Sequence, residues 1–513
     1  RQRCLICRTT PLTHLFVTPA SRGRRITVSN ASDRAPASSG CTLKTTPPLR
    51  RLLSTLASAR AMTTAVWFRK NLRVHDNAAL TTACDAESVL PLYCLDPAWA
   101  TPQTVGPNRC RFLLESLEDL DATLRSKYGS RLHVLVGDPS ETITKLIRDG
   151  TITKVVFEEE VAEPRELELE KRVLAKHPNE AHAVASTHLL YDADAALAKG
   201  APPTKMPGMV TLAGKLGPPS KPLPAPSTLP PRPAIDTPPL PSLESLGYAS
   251  IPTKAAYGVQ GGESTGLARL QEQMERDDGA WARAFEKPQT TSASFEGEPP
   301  TTLLSPYVAF GCVSVRTFHA ALTSVYAKGA HAQPPTSLLG QLYFREMSYL
   351  LGRKHGAAFA KQPSAVCKDI DWDTDAAAEK RFEAWEQGRT GYPLIDAAMR
   401  QLREQGWLHH LARHAVSCFL TRGDLYVHWT RGRDVFDRDL LDADWAINNF
   451  NWLGLAGVAP WSPPFFRVYN PFNVGASSLN VRDPSGAYVD RFVPELSKLP
   501  PRHKYAPWLA PKS

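Results

Sequence analysis

From residue 64 the chain alternates short apolar runs with longer stretches of helical period. "AVWFR" (65–69), "VLPLYCLD" (89–96), "RLHVLVGD" (131–138) and "KVVFEEE" (154–160) are rich in Val, Leu and aromatic residues and read as strands. Between them, residues 108–129 and 139–150 repeat their apolar positions at helical spacing. Strands alternating with helices predict a doubly wound parallel α/β domain over 62–199. No G-x-G-x-x-G follows any of these strands, so a dinucleotide fold of the usual phosphate-binding type is not indicated.

The pattern then breaks. Residues 202–241 hold 14 of the 45 prolines, and the stretch reads as an inter-domain connector (200–263) that sustains neither helix nor sheet. Beyond it strand signals vanish. "SLLGQLYFREMSYLLG" (337–352) carries a helical apolar stripe. "GRTGYPLIDAAMRQLREQGW" (388–407) has Pro393 near its first helical position and Gly406 at its end. Residues 264–513 therefore read as an all-helical domain.

Charge changes the picture in one place. Residues 1–60 carry eleven Arg and Lys against Asp33 alone, so this segment exceeds the chain's net +9 and leaves the body one charge negative. Bulk charge thus lends no support to nucleic-acid binding. The segment is Arg-, Ser- and Thr-rich, as transit peptides are, but the first Met of the chain is Met62. Residues 1–61 read either as an organellar leader or as upstream sequence translated in error. Nine cysteines without regular spacing argue against a disulfide framework and a structural zinc motif. No apolar run reaches membrane-spanning length.

The candidate chemistry lies in "GWLHHLARHAVSCFLTRGD" (406–424). His410 and His414 share a helix face, with Cys418 continuing the stripe. Eight residues separate His410 from Cys418, roughly 12 Å along a helix, too far for one zinc ion with bonds of roughly 2.0–2.3 Å. No H-E-x-x-H is present. Core histidines satisfied by backbone acceptors are the plain alternative, but Arg413 on the same apolar helix requires an anionic partner. "LLDADWAINNFNW" (440–452) offers Asp442 and Asp444, which also suit a helix N-cap, with Asn448 and Trp452 four apart. Two acids, an amide and an indole beside an Arg and two histidines suit a large flat heterocycle better than a metal.

These stretches, with "VWFRKNLRVHDNAAL" (66–80), "TTLLSPYVAFGCVS" (301–314) and "GQLYFRE" (340–346), resemble the photolyase/cryptochrome family over about 64–508. Within it they are similar to the (6-4) photolyase and animal-type cryptochrome branch, of which "HHLARH" is the marker. The resemblance implies FAD in the helical domain. Thr301, Thr302, Leu303, Leu304 and Ser305 would cradle its phosphates, and Gln341 and Arg345 would line the same cavity. Asp442 and Asp444 would meet the isoalloxazine and ribose, with Arg413 paired to Asp442 and Asn448 facing flavin N5. Trp452, Trp429 and Trp372 match the family's electron relay, with Tyr426 as a fourth member. His410 and His414 would line the lesion pocket as proton donors, His410 also touching the flavin. The implied activity is light-driven repair of (6-4) photoproducts in UV-damaged DNA. The alternative is a blue-light photoreceptor acting through signalling proteins. The resemblance also implies a monomer in the nucleus, or in a chloroplast or mitochondrion if the leader is genuine. It leaves open a second, antenna chromophore in the α/β domain. Three positions depart from the family pattern: Ala309 stands for its Lys, Phe344 for its Trp before R-E, and Gly454 for the second Trp of its N-W-M-W.

Overall fold

A computed structural model describes residues 62–249, 256–286, 301–462, 469–472, 483 and 485–511; the leader reading of 1–61 lies outside them. Five parallel strands form one sheet: β1 (Thr63–Phe68), β2 (Ser88–Leu95), β3 (His133–Val136), β4 (Lys154–Glu158) and β5 (Ala181–Val184), in the order β3-β2-β1-β4-β5. β1 is central and entirely covered apart from Thr64, which is why its four apolar residues, Ala65 to Phe68, read without polar alternation. The helices that connect the strands start where Pro is harmless. α1 (Pro107–Tyr128) and α2 (Pro139–Arg148) both carry Pro in the first turn, and α1 ends at Gly129 with φ 61°.

Two elements escaped the sequence pattern. β5 is only "AHAV", without the apolar run of the other strands, and owes its conformation to pairing with β4. The connector does hold a helix, α3 (Met206–Leu216), which corrects the reading that 202–241 sustains none. Pro207 falls in its first turn, where the missing N–H has no partner to lose. The next proline is Pro218, beyond the terminating Gly217. Residues 218–241 contain neither helix nor strand and lie against the α/β layer, with Val89 N donating to Pro231 O at 3.1 Å and Asp76 N to Leu223 O at 2.9 Å.

After β5 the described residues contain helices and isolated bridges but no further strand. The elements that build the site are α4 (Ser305–Ala309), α5 (Leu338–His355), α6 (Ala376–Glu386), α7 (Pro393–Gln405), α8 (His410–Cys418), α9 (Trp429–Asp439) and α10 (Trp445–Leu455). The loop after β1 locks the α/β layer to them. Arg73, fully buried, donates to Gly311 O at 2.7 Å, Asp76 pairs with Arg316, and Val74 N donates to Glu263 at 2.7 Å. Gly311 is required at this junction: its φ is +70°, and a Cβ there would lie 1.9 Å from Lys70 O. The tryptophans Trp372, Trp385, Trp429 and Trp452 share the main helical core. No helix among the described residues is long and apolar enough to cross a membrane.

Candidate functional site

Asp442 is the hub. It sits in the turn before α10, where Oδ2 accepts from Arg413 Nη2 of α8 at 3.0 Å and from Ser305 Oγ of α4 at 2.7 Å. Arg413 also donates from Nε to Leu408 O at 2.9 Å, which fixes the plane of the guanidinium. Three segments far apart in sequence thus meet on one carboxylate oxygen. The other, Oδ1, is buried and has no hydrogen-bond partner among the described residues. A buried carboxylate oxygen without a donor costs free energy comparable to a lost charged hydrogen bond. Such an oxygen can accept from an N–H or O–H of a bound group. The donor edge of a flavin or a ribose is one such group.

The 301–305 segment reaches the hub through Ser305. Leu303, with φ +50°, and Leu304 turn their side chains into the core, so only their backbones are available to a ligand. Thr302 O is taken by Arg269 Nε at 2.6 Å, and Thr301 and Thr302 are half-buried. Asp444 behaves differently from Asp442. It is the N-cap of α10, accepting from Ile447 N at 3.0 Å, and its Oδ2 accepts from Tyr349 Oη at 2.6 Å.

Gln341 and Arg345 do not join the hub. The Gln341 amide nitrogen donates to Pro335 O at 3.1 Å. Arg345 turns to the α/β layer, donating to His188 O at 2.7 Å with its guanidinium 4.6 Å from the Tyr349 ring centre. Its position on the buried side of α5, one turn before Tyr349, carries it away from α4. Burial and the facing Arg345 hold the His188 imidazole well below its usual range, hence neutral. Arg345 thus makes a contact between the helical and α/β layers. A charged group that close to His188 was invisible in the sequence, because the two lie 157 residues apart.

His410 and His414 project from α8 half-buried, their rings 5.9 Å apart and nearly perpendicular. Tyr469 Oη is 3.0 Å from His414 Nδ1, so a tyrosine from the chain beyond α10 holds that imidazole. His409, the N-cap of α8, is buried. At Gly454 the family's second indole is missing, but a Cβ there would lie 3.4 Å from Trp461 Nε1. The Trp461 ring covers the glycine and stacks on Phe450 at 5.2 Å with 7° between planes. Ala309 in α4 and Phe344 in α5 are half-buried.

The proposed relay residues form a graded series. Trp452 and Trp429 are fully buried, and Gly432 of α9 makes room for the Trp452 ring: a Cβ there would approach Trp452 Cη2 to 2.1 Å. His428 lies between Trp429 (6.1 Å) and Trp372 (6.2 Å). The Trp372 ring is 5.0 Å from Tyr426, which is 44% exposed and held at φ +53°. Sequence reading missed Trp385, fully buried and 6.4 Å from Trp452. It also missed Asp437 on α9, whose Oδ1 accepts from Asn448 Nδ2 at 2.6 Å. The Asn448 nitrogen also donates to Arg433 O at 3.0 Å. Neither residue stood in a recognisable pattern.

The crevice at the carboxyl ends of β1 and β4, where the strand order reverses, is the usual ligand position of such a sheet. Here Arg69 bridges Glu166 (3.1 Å) and Glu170 (2.9 Å), and Lys70 bridges Glu160 (3.0 Å) and Glu163 (2.6 Å). Burial opposes the Glu160 charge, but Lys70 and Arg69 outweigh it and hold the carboxyl at about 2. A cavity of about 20 Å³ remains. That is room for about one water, so an antenna chromophore does not fit there without displacing the ion pairs.

Comparison with known proteins agrees with this geometry. Residues 64–226 match the model of DNA photolyase, and residues 338–513 match that of the FAD binding domain of DNA photolyase. The chain is 40% identical over 484 residues to a (6-4)DNA photolyase of Oryza sativa subsp. japonica, covering 90% of this chain and 85% of that one. It is also 40% identical over 464 residues to Cryptochrome-1 of Rattus norvegicus, covering 87% and 76%. A bacterial class III photolyase from Agrobacterium tumefaciens superposes with a TM-score of 0.74 at 28% identity, over 90% of this chain and 92% of that one. An Arg–Asp–Ser hub with one unanswered carboxylate oxygen, an indole series leading to the surface and matches across both layers have one common reading: the chain belongs to the photolyase/cryptochrome family.

Proposed function

We propose that this protein binds FAD in its helical domain and uses light to repair (6-4) photoproducts in UV-damaged DNA. The observation that carries the repair reading is the His410–His414 pair, half-exposed on one face of α8, with His414 held by Tyr469. When bound, FAD supplies the light-driven electron. The chain's own residues hold and orient. Asp442, Arg413 and Ser305 bind the flavin through the unanswered Oδ1 and its supporting bonds. His414, steadied at Nδ1, gives a proton to the departing oxygen of the lesion, a step for which an imidazole near its working pH is suited. Trp461, lying over Gly454, restores an aromatic surface for an unstacked base. The relatives include a (6-4)DNA photolyase. His414→Ala should retain FAD and lose roughly 10²–10⁴-fold in repair rate; repair at wild-type rate by this variant would remove the histidine from the chemistry.

A second reading has its own observation. Tyr426 lies at the exposed end of the indole series, 5.0 Å from Trp372. A terminal donor in contact with water favours a long-lived light state, as a photoreceptor with protein partners needs, and Cryptochrome-1 is equally similar to this chain.

A further inference from the structure

Asn448 is the residue that the resemblance sets against flavin N5, and the structure shows what holds it. Both hydrogens of its amide nitrogen are committed to α9: one to Arg433 O at 3.0 Å, the other to Asp437 Oδ1 at 2.6 Å. Two acceptors on one side fix which end of the amide faces them. The nitrogen must turn to α9 and the oxygen must turn away from it, so Asn448 presents an acceptor to its open side. Arg433 O alone would leave one hydrogen unanswered; Asp437 completes the arrangement.

Asp437 also touches a different space. It is half-buried and lines a cavity of about 460 Å³ together with Gln103, Thr104, Glu386 and Asp434. The cavity is lined by polar and apolar side chains alike, Phe382 and Val435 among them, and is large enough for many waters. The cations around it are engaged elsewhere. Arg438 pairs with Glu386 at 2.9 Å and with Asp439 at 2.7 Å, and Arg431 with Glu379 at 2.8 Å. Arg433 pairs with Asp434 at 2.6 Å. From the α/β layer, Arg109 faces Asp437 but donates to main-chain oxygens, those of Asp437 and of Ala443 (3.2 Å). Glu163 adds negative charge from the same side. No ion pair to the Asp437 carboxylate is found among the described residues.

We propose that Asp437 is the positioning residue for Asn448, fixing its carbonyl toward the flavin pocket, and that it exchanges protons with solvent through the cavity behind it. This rests on FAD occupying the helical domain with Asn448 at its edge. Burial pushes the Asp437 carboxyl up to about 7, against the help of Asn448, Arg109 and Arg433. That direction moves its titration toward neutral pH. Ionised, it can only accept, and the amide has one orientation. Protonated, it can also donate, and the amide is no longer held to that orientation.

The test is a double-mutant cycle on the FAD-loaded full chain, reading the dark lifetime of the photoreduced flavin by absorbance from pH 5.5 to 8.5. Asp437→Leu should shorten the lifetime roughly five-fold at pH 8, the effect of about one hydrogen bond. In an Asn448→Ala background the same substitution should add nothing, because its effect runs through the amide. Wild type should show a change in lifetime near pH 7, and Asp437→Asn should bind FAD and lack that change. Additive effects in the cycle, or an unaltered pH profile in Asp437→Asn, would overturn the proposal while leaving the flavin reading intact. A protein that takes up no FAD would overturn both.

Discussion

Replacing Asp442 by Ala deletes one carboxylate that serves Arg413 and Ser305 and that, on the proposed function, accepts from the flavin through Oδ1. Arg413 then keeps its charge with only Leu408 O as a named acceptor. Removing one partner of a fully buried ion pair costs about 3–5 kcal/mol. The Arg413 side chain is 23% exposed and can recruit water, which lowers the expected loss of stability to about 1–3 kcal/mol. FAD loses a charged hydrogen bond besides, worth about 1.5–3 kcal/mol, or roughly 10- to 150-fold in Kd. Ser305→Ala removes one bond to the same oxygen and leaves the ion pair in place, so its effect should be smaller on both counts. The assay is fluorescence titration of the stripped proteins with FAD, beside thermal melts without it. Wild-type affinity in Asp442→Ala would refute the assignment of Oδ1 to the flavin, whatever the melts show.

Trp452→Phe should keep its FAD content and lose blue-light reduction of the oxidised flavin; unaltered bleaching in absorbance would mean that electrons enter by another residue, with Trp385 the next to test. Tyr426→Phe should leave the first photoreduction intact and shorten the persistence of the reduced flavin, since Trp372 would then be the outermost donor. Glu346, fully buried and accepting from Leu190 N at 3.1 Å, has its carboxyl pushed up to about 7 by burial. A folded-state value above the unfolded one means that its stabilising contribution is complete below about pH 4.5 and is lost as pH rises toward 7, by up to about 3 kcal/mol. Glu346→Gln should flatten that part of the pH–stability curve; parallel curves for the two proteins would contradict the assignment.

Much of this architecture can be read from the chain because its signals are local. The strands β1 to β4 announce themselves as apolar runs, and α7 begins at Pro393 and ends at Gly406 as its punctuation predicts. That Arg413 needs an anion follows from a general rule for a guanidinium on an apolar helix, whereas the choice of Asp442 over Asp444 comes from the family resemblance. The misses are tertiary. β5 exists because β4 offers an edge, and α3 because Pro207 happens to fall where a helix tolerates it. The contact of Arg345 with His188 joins residues too distant in sequence to be paired by pattern. Asp437 is one of several acids in "GRDVFDRDLLDAD" (432–444), and only the packing of α9 on α10 distinguishes it. Gly454 reads as a lost indole, while the return of Trp461 over it depends on the path of the chain beyond α10.

The account stands most directly on repair itself. Reduced, FAD-loaded protein should be mixed with an oligonucleotide carrying a single (6-4) photoproduct and divided between blue or near-UV light and darkness. Restoration of the intact pyrimidines in the light, and none in the dark, is the predicted result. No restoration in the light, by protein whose flavin still photoreduces, would contradict the repair reading and leave the photoreceptor reading in its place.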